Sequence, residues 1–162
     1  MSENLKRRRL VECLGYAGAL PFIALALGCS LNLEPSLLFA FISYSAVILS
    51  FLGGINWGVT MNDPKNADDT KILLISLTPS LVGWGALLFN GTRLVLSSLF
   101  IAFTLQYFFD RIVGRNHYLP TWHLQLRGRL TFIVNASILF VLYSTLSPVS
   151  YTHLTLPTSD LV

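Results

Sequence analysis

The sequence predicts an all-α integral membrane protein: a bundle of five transmembrane helices, N-terminus inside and C-terminus outside, with a short interfacial segment before the last helix. Three observations carry that expectation. Charged residues make up 12% of the 162-residue chain and apolar residues 53%, where a soluble protein carries about 25% charged residues. The mean hydropathy is +0.62, and the charges cluster between long uncharged runs. Those runs are continuous and lack the alternation of ~10-residue β-barrel strands. A chain so poor in charge cannot cover a water-facing surface, so lipid is the solvent for most of its length.

A helix rises ~1.5 Å per residue, so about 20 apolar residues cross a hydrocarbon core ~30 Å thick. The basic segment 1–10, with Lys6, Arg7, Arg8 and Arg9, precedes the first run, Val11–Leu31. A secretory signal has the same layout, but its apolar core is only about 7–15 residues, so a retained anchor is favoured. A rival reading makes Ala26-Leu27-Gly28-Cys29 a lipoprotein signal with Cys29 lipidated. Bulky Leu27 and the even span count left by cleavage count against it. Cys13 and Cys29 lie ~24 Å apart along one helix, out of disulfide range, and read as small packing residues.

The second run is Ser36–Thr60, the third Ile72–Asn90, the fourth Leu94–Phe109 and the fifth Leu130–Leu146. The fourth reaches span length only if Arg93 and Asp110, at its two ends, snorkel outward. Pro120 is suited to open a surface-lying helix before the last span. Five spans leave short loops and no soluble domain. The chain thus divides into the basic segment 1–10, the membrane domain 11–147 and a tail, 148–162. Orientation follows from the short loops: with the N-terminus inside, ten Lys and Arg face the cytoplasm and Arg93 alone faces out. The expected location is therefore a bacterial inner membrane, multi-pass.

The net charge of +3 reflects that threading and gives no nucleic-acid surface. Polar residues inside the spans carry what chemistry there is. Gly53-Gly54-Ile55-Asn56-Trp57-Gly58 places Gly54 and Gly58 four apart on one face, a seam for close helix approach, with Gly53 and Trp57 alongside. Asn56 adds an amide that must find a partner. The plain reading is helix packing; the sharper one is a substrate or ion site. Thr78-Pro79-Ser80 should break the third helix, with hydroxyls compensating the carbonyls that proline frees, and Pro21 should act similarly in the first.

Gln106 and Asp110 share a face at i, i+4, and an acidic residue in a span is a functional candidate, although Asp110 at the edge could simply be solvated. At ~1.5 Å per residue, Asn56, Gln106, Asp110, Thr78, Ser80 and Asn135 all fall in the half of the bilayer nearer the basic loops. The expectation is a cytoplasm-facing polar pocket built on Asn56, Gln106 and Asp110, with Thr78, Ser80 and Asn135 in support. His117 and His123 have no metal-ligand spacing and no Cys or Glu beside them; with Tyr118, Trp122 and the arginines they read as an interfacial belt. No nucleophile elbow, phosphate loop or zinc-protease signature is present. The sequence therefore predicts no enzyme, no cofactor and no metal. It favours a structural or assembly component of a membrane complex whose partners are the bilayer, itself or other membrane proteins. A small oligomeric transporter or permease is the alternative.

Gly15-Tyr16-Ala17-Gly18-Ala19-Leu20-Pro21-Phe22, Ser50-Phe51-Leu52-Gly53-Gly54-Ile55-Asn56-Trp57-Gly58, Pro79-Ser80 and Leu119-Pro120-Thr121-Trp122-His123-Leu124-Gln125-Leu126-Arg127 together resemble the multi-pass membrane family called domain of unknown function 3429. That family is similar to the animal transmembrane protein 69. The resemblance covers about residues 10–147 and implies the membrane fold, with no activity attached. Asn56 stands where a His is common in the family, so no imidazole chemistry carries over. The last fourteen residues, Val149–Val162, resemble translated sequencing-adapter read-through, which would exclude His153 and Asp160 from any site.

Overall fold

The computed structural model describes residues 3–31, 34–62, 69–116 and 120–146. The expectations for the tail 148–162 and for His117 lie outside them. Among the described residues the chain is helical throughout: α1 (Glu3–Leu31), α2 (Pro35–Asn62), α3 (Asp69–Ser76), α4 (Thr78–Leu88), α5 (Thr92–Asn116) and α6 (Thr121–Leu146). Five segments are long and apolar enough to cross a membrane, with α3 and α4 together forming the third. Leu14, Phe39, Phe51, Trp84, Leu105, Phe132 and Tyr143, all exposed, face the lipid that such a chain requires.

The break between α3 and α4 follows from Pro79, which occupies the first turn of α4. Proline has no N–H for the carbonyl four residues back, that of Ile75. The Thr78 hydroxyl donates to that carbonyl at 2.6 Å. Ser76 returns its hydroxyl to Ile72 in the same way. Pro21, by contrast, lies inside an unbroken α1. The residues before the last span also differ from expectation. Thr121–Arg129 form no separate surface helix but run straight into α6, because nothing between Thr121 and Leu146 removes a backbone donor.

Helices α1, α2, α5 and α6 close a ring in which each packs on the next, and α3 and α4 lie outside it against α2, with α4 also touching α5. The core is a band of Phe22, Phe41, Leu49, Leu96, Leu99, Phe103 and Ile138, all at most 2% exposed. Phe22 stacks edge-on against Phe41, Tyr44 and Phe103. Cys29 is enclosed in this core while Cys13 is exposed. The Arg8 guanidinium lies 5.5 Å over the Trp122 ring, so the N-terminal ends of α1 and α6 sit together. Arg93 at the start of α5 instead donates to the carbonyl of Thr145 at the far end of α6. Helices α1 and α6 thus run parallel and α5 and α6 antiparallel, as an odd number of spans demands.

Glycine sets the closest approach. At Gly53 an added Cβ would collide with the carbonyl oxygen of Ser76 and lie 3.3 Å from the Pro79 ring. At Gly83 an added Cβ would stand 3.0–3.1 Å from the backbone of Ala46. The seam between α2 and the third span is therefore built on Gly53 and Gly83. At the expected seam residues Gly54 and Gly58 an added Cβ would meet nothing within 4 Å, and both, with Trp57, lie on the exposed side of α2. One residue turns a helix by about 100°, enough to carry Gly54 off the contact.

Candidate functional site

Near the basic end of the bundle, α2, α5 and α6 each place polar side chains on their buried stripe. On α2 that stripe runs Phe41, Ser45, Leu49, Leu52, Asn56 and Thr60; on α5 it runs Leu96, Leu99, Phe103, Gln106, Asp110 and Val113. On α6 it runs Arg127, Thr131, Val134, Ile138 and Val141. Spacings of three and four keep each set on one helix face. The register that buries the apolar members thus buries Asn56, Gln106, Asp110 and Arg127 as well.

These four meet. Oδ1 of Asp110 accepts from Asn56 Nδ2 and from Gln106 Nε2, each at 2.8 Å. Oδ2 accepts from Arg127 Nε at 2.7 Å, and Arg127 Nη2 stands 2.5 Å from the same oxygen. Asn56 is 2% exposed, Gln106 4%, Asp110 6% and Arg127 8%, so one carboxylate joins three helices away from solvent. Both carboxylate oxygens are used and its charge is matched by the guanidinium. Charge-assisted hydrogen bonds of this kind are about twice as strong as neutral ones. Removing either partner of such a pair costs about 3–5 kcal/mol, because the other charge is left buried alone.

The surroundings support the cluster. Thr60 donates to the carbonyl of Asn56 at 2.9 Å. Beside Arg127, Gly128 leaves room for the Tyr107 ring, whose hydroxyl would lie 3.2 Å from an added Cβ. The absence of a side chain at Gly128 therefore brings α5 against α6 where the ion pair forms.

Of the six polar residues expected to share a pocket, the structure brings together Asn56, Gln106 and Asp110 and leaves out the other three. Asp110 does not snorkel to an edge; α5 continues past it to Asn116, and the side chain turns inward. Thr78 is exposed and spends its hydroxyl on the Ile75 carbonyl of α3, across the break. Ser80, on α4 outside the ring, offers its backbone N–H to Leu77. Asn135 donates to Thr104 at 3.0 Å, a separate α5–α6 rung about 12 Å along α6 from Arg127. The sequence reading missed Arg127, which counts there as a loop charge. Its signal was the repeat Arg127, Thr131, Val134, Ile138, which puts an arginine in line with a core stripe.

The fold and this cluster define a multi-pass α-helical membrane protein with five spans, three of them joined at one buried carboxylate. The chain belongs to the family described as Protein of unknown function (DUF3429), whose profile matches residues 8–143. It is similar to Transmembrane protein 69 of Xenopus tropicalis, with 35% identity over 135 residues, covering 77% of this chain and 50% of that protein. Transmembrane protein 69 of Mus musculus is 38% identical over 77 residues, covering 46% of this chain and 31% of that protein. The chain thus spans about half the length or less of these curated relatives. No solved structure matches it.

Proposed function

We propose that the protein is a structural or assembly component of a membrane complex, set in a bacterial-type inner membrane with its N-terminus inside. On this reading it is not an enzyme, needs no cofactor, and has other membrane proteins or its own copies as partners. The observation that supports it is the closure of the polar cluster. A transport pathway needs polar groups that exchange partners with water or substrate, whereas Asn56, Gln106 and Arg127 are all engaged by one buried carboxylate. Such a cluster fixes helix positions. The orientation rests on the ten Lys and Arg that share one side of the threading.

Cross-linking in native membranes, followed by purification in mild detergent, tests the reading. Recovery of one membrane protein, or of a second copy, in fixed stoichiometry is the expected result. A cysteine placed at Thr60, which is fully buried one turn from Asn56, gives the opposite arm. Its labelling by a membrane-impermeant maleimide would reveal a water-filled path and replace this reading with the transporter.

A further inference from the structure

Between α1, α2 and α6 lies a cavity of about 360 Å³ that meets the polar cluster only at Arg127. Its α1 wall is Val11, Leu14, Gly15, Gly18, Ala19 and Phe22, and Ile48, Phe51 and Ile55 of α2 face it. Phe103 forms the floor, and His123 and Arg127 of α6 stand at the end nearest the helix N-termini. Leu14 is 62% exposed and Phe51 63%, so the cavity opens sideways between these rims to the bilayer. From Val11 to Phe22 it follows α1 for roughly 16 Å. Its space comes from a missing side chain, because Gly18 has nothing within 4 Å of where a Cβ would stand. A trough of this kind inside a bilayer fills with hydrocarbon, since water there would find almost no partners.

The open end of the trough is cationic. Arg7 lies on the same α1 stripe as Val11, Leu14 and Gly18, at spacings of four, three and four. It is exposed, like Lys6 and Arg9, and none of the three has an ion pair among the described residues. Among the described side chains of α1, the Glu12 carboxylate is already engaged by Arg8 at 2.8 Å. His123 Nδ1 is buried at the edge of the trough without a hydrogen-bond partner. We propose that this cavity holds one acyl chain of an anionic phospholipid, its head group drawn to the Arg7–Arg9 end of α1. The trough recognises the chain and the arginines recognise the charge, so both parts of one amphiphile are met.

Native mass spectrometry of the full chain, released from micelles carrying either phosphatidylglycerol or phosphatidylcholine with identical acyl chains, tests this. One retained phosphatidylglycerol per chain is expected, favoured over phosphatidylcholine by about fivefold to tenfold, which is what one basic residue at the head group supplies. Gly18→Leu should fill the trough and cut retention about tenfold, while Gly54→Leu, on an equally open but cavity-free face, should leave it unchanged. Arg7→Gln should narrow the preference between the two lipids without emptying the site. If Gly18→Leu does not fold, Val11→Trp at the mouth decides in its place. Equal retention of the two lipids, or full retention in the trough-filling variant, would overturn the proposal.

Discussion

Gly53 and Gly54 are neighbours in the chain and stand in different media. A Cβ added at Gly53 would meet the Ser76 carbonyl and the Pro79 ring, while one at Gly54, or at Gly58 a turn further on, would meet open space. The same two faces differ in their polar residues. Asn56, on the buried side, is committed to Asp110, whereas Trp57 is 40% exposed on the lipid side. A glycine on the inner face is there because backbone must approach backbone. On the outer face nothing within this chain requires its absent side chain. The difference shows that a small-residue pattern marks a possible contact, and that only the rotational setting of the helix says whether the partner lies within the molecule.

The contrast breaks most severely at the ion pair. Asp110→Ala should cost about 3–5 kcal/mol, because Arg127 would remain buried without a counter-charge. Thermal unfolding in detergent, followed by circular dichroism, measures this. Replacing both partners together, Asp110→Leu with Arg127→Met, should recover the part of that loss due to the unbalanced charge, while Asn56 and Gln106 still lack their acceptor. A double variant no more stable than Asp110→Ala would mean that the cluster is needed for more than charge balance.

Gly53→Ala comes next, with an expected loss of about 1–3 kcal/mol, since the methyl group meets backbone oxygen that cannot step aside. The same melting experiment reads it, and a neutral result would mean that α3 and α4 slide freely on α2. The smallest effect belongs to the outer face. Gly54→Ala and Gly58→Ala should each raise stability by about 0.5 kcal/mol through helix propensity alone. A marked loss at either position in the membrane, absent in dilute detergent, would place a partner helix against that face and sharpen the assembly reading.

Sequence alone determined the spans, their number and the polar residues they carry. Hydropathy integrates over a whole helix and does not depend on neighbours. The break at Thr78-Pro79 was equally legible, because a proline removes a hydrogen bond wherever its helix packs. Depth in the bilayer is likewise a matter of counting residues from a charged end, which put Asn56, Gln106 and Asp110 on one level. Thr78 and Ser80 share that level and yet join nothing in the cluster. Their helix packs outside the ring, and azimuth is set by packing between helices, not by distance along one. Arg127 was misjudged for the complementary reason. An arginine near a helix start is ordinarily a loop charge, and only the approach of α5, made close by Gly128 against Tyr107, supplies the carboxylate that lets it stay inside. The tertiary structure decided which polar groups meet, because a buried charge has no stable place until its partner on another helix is beside it.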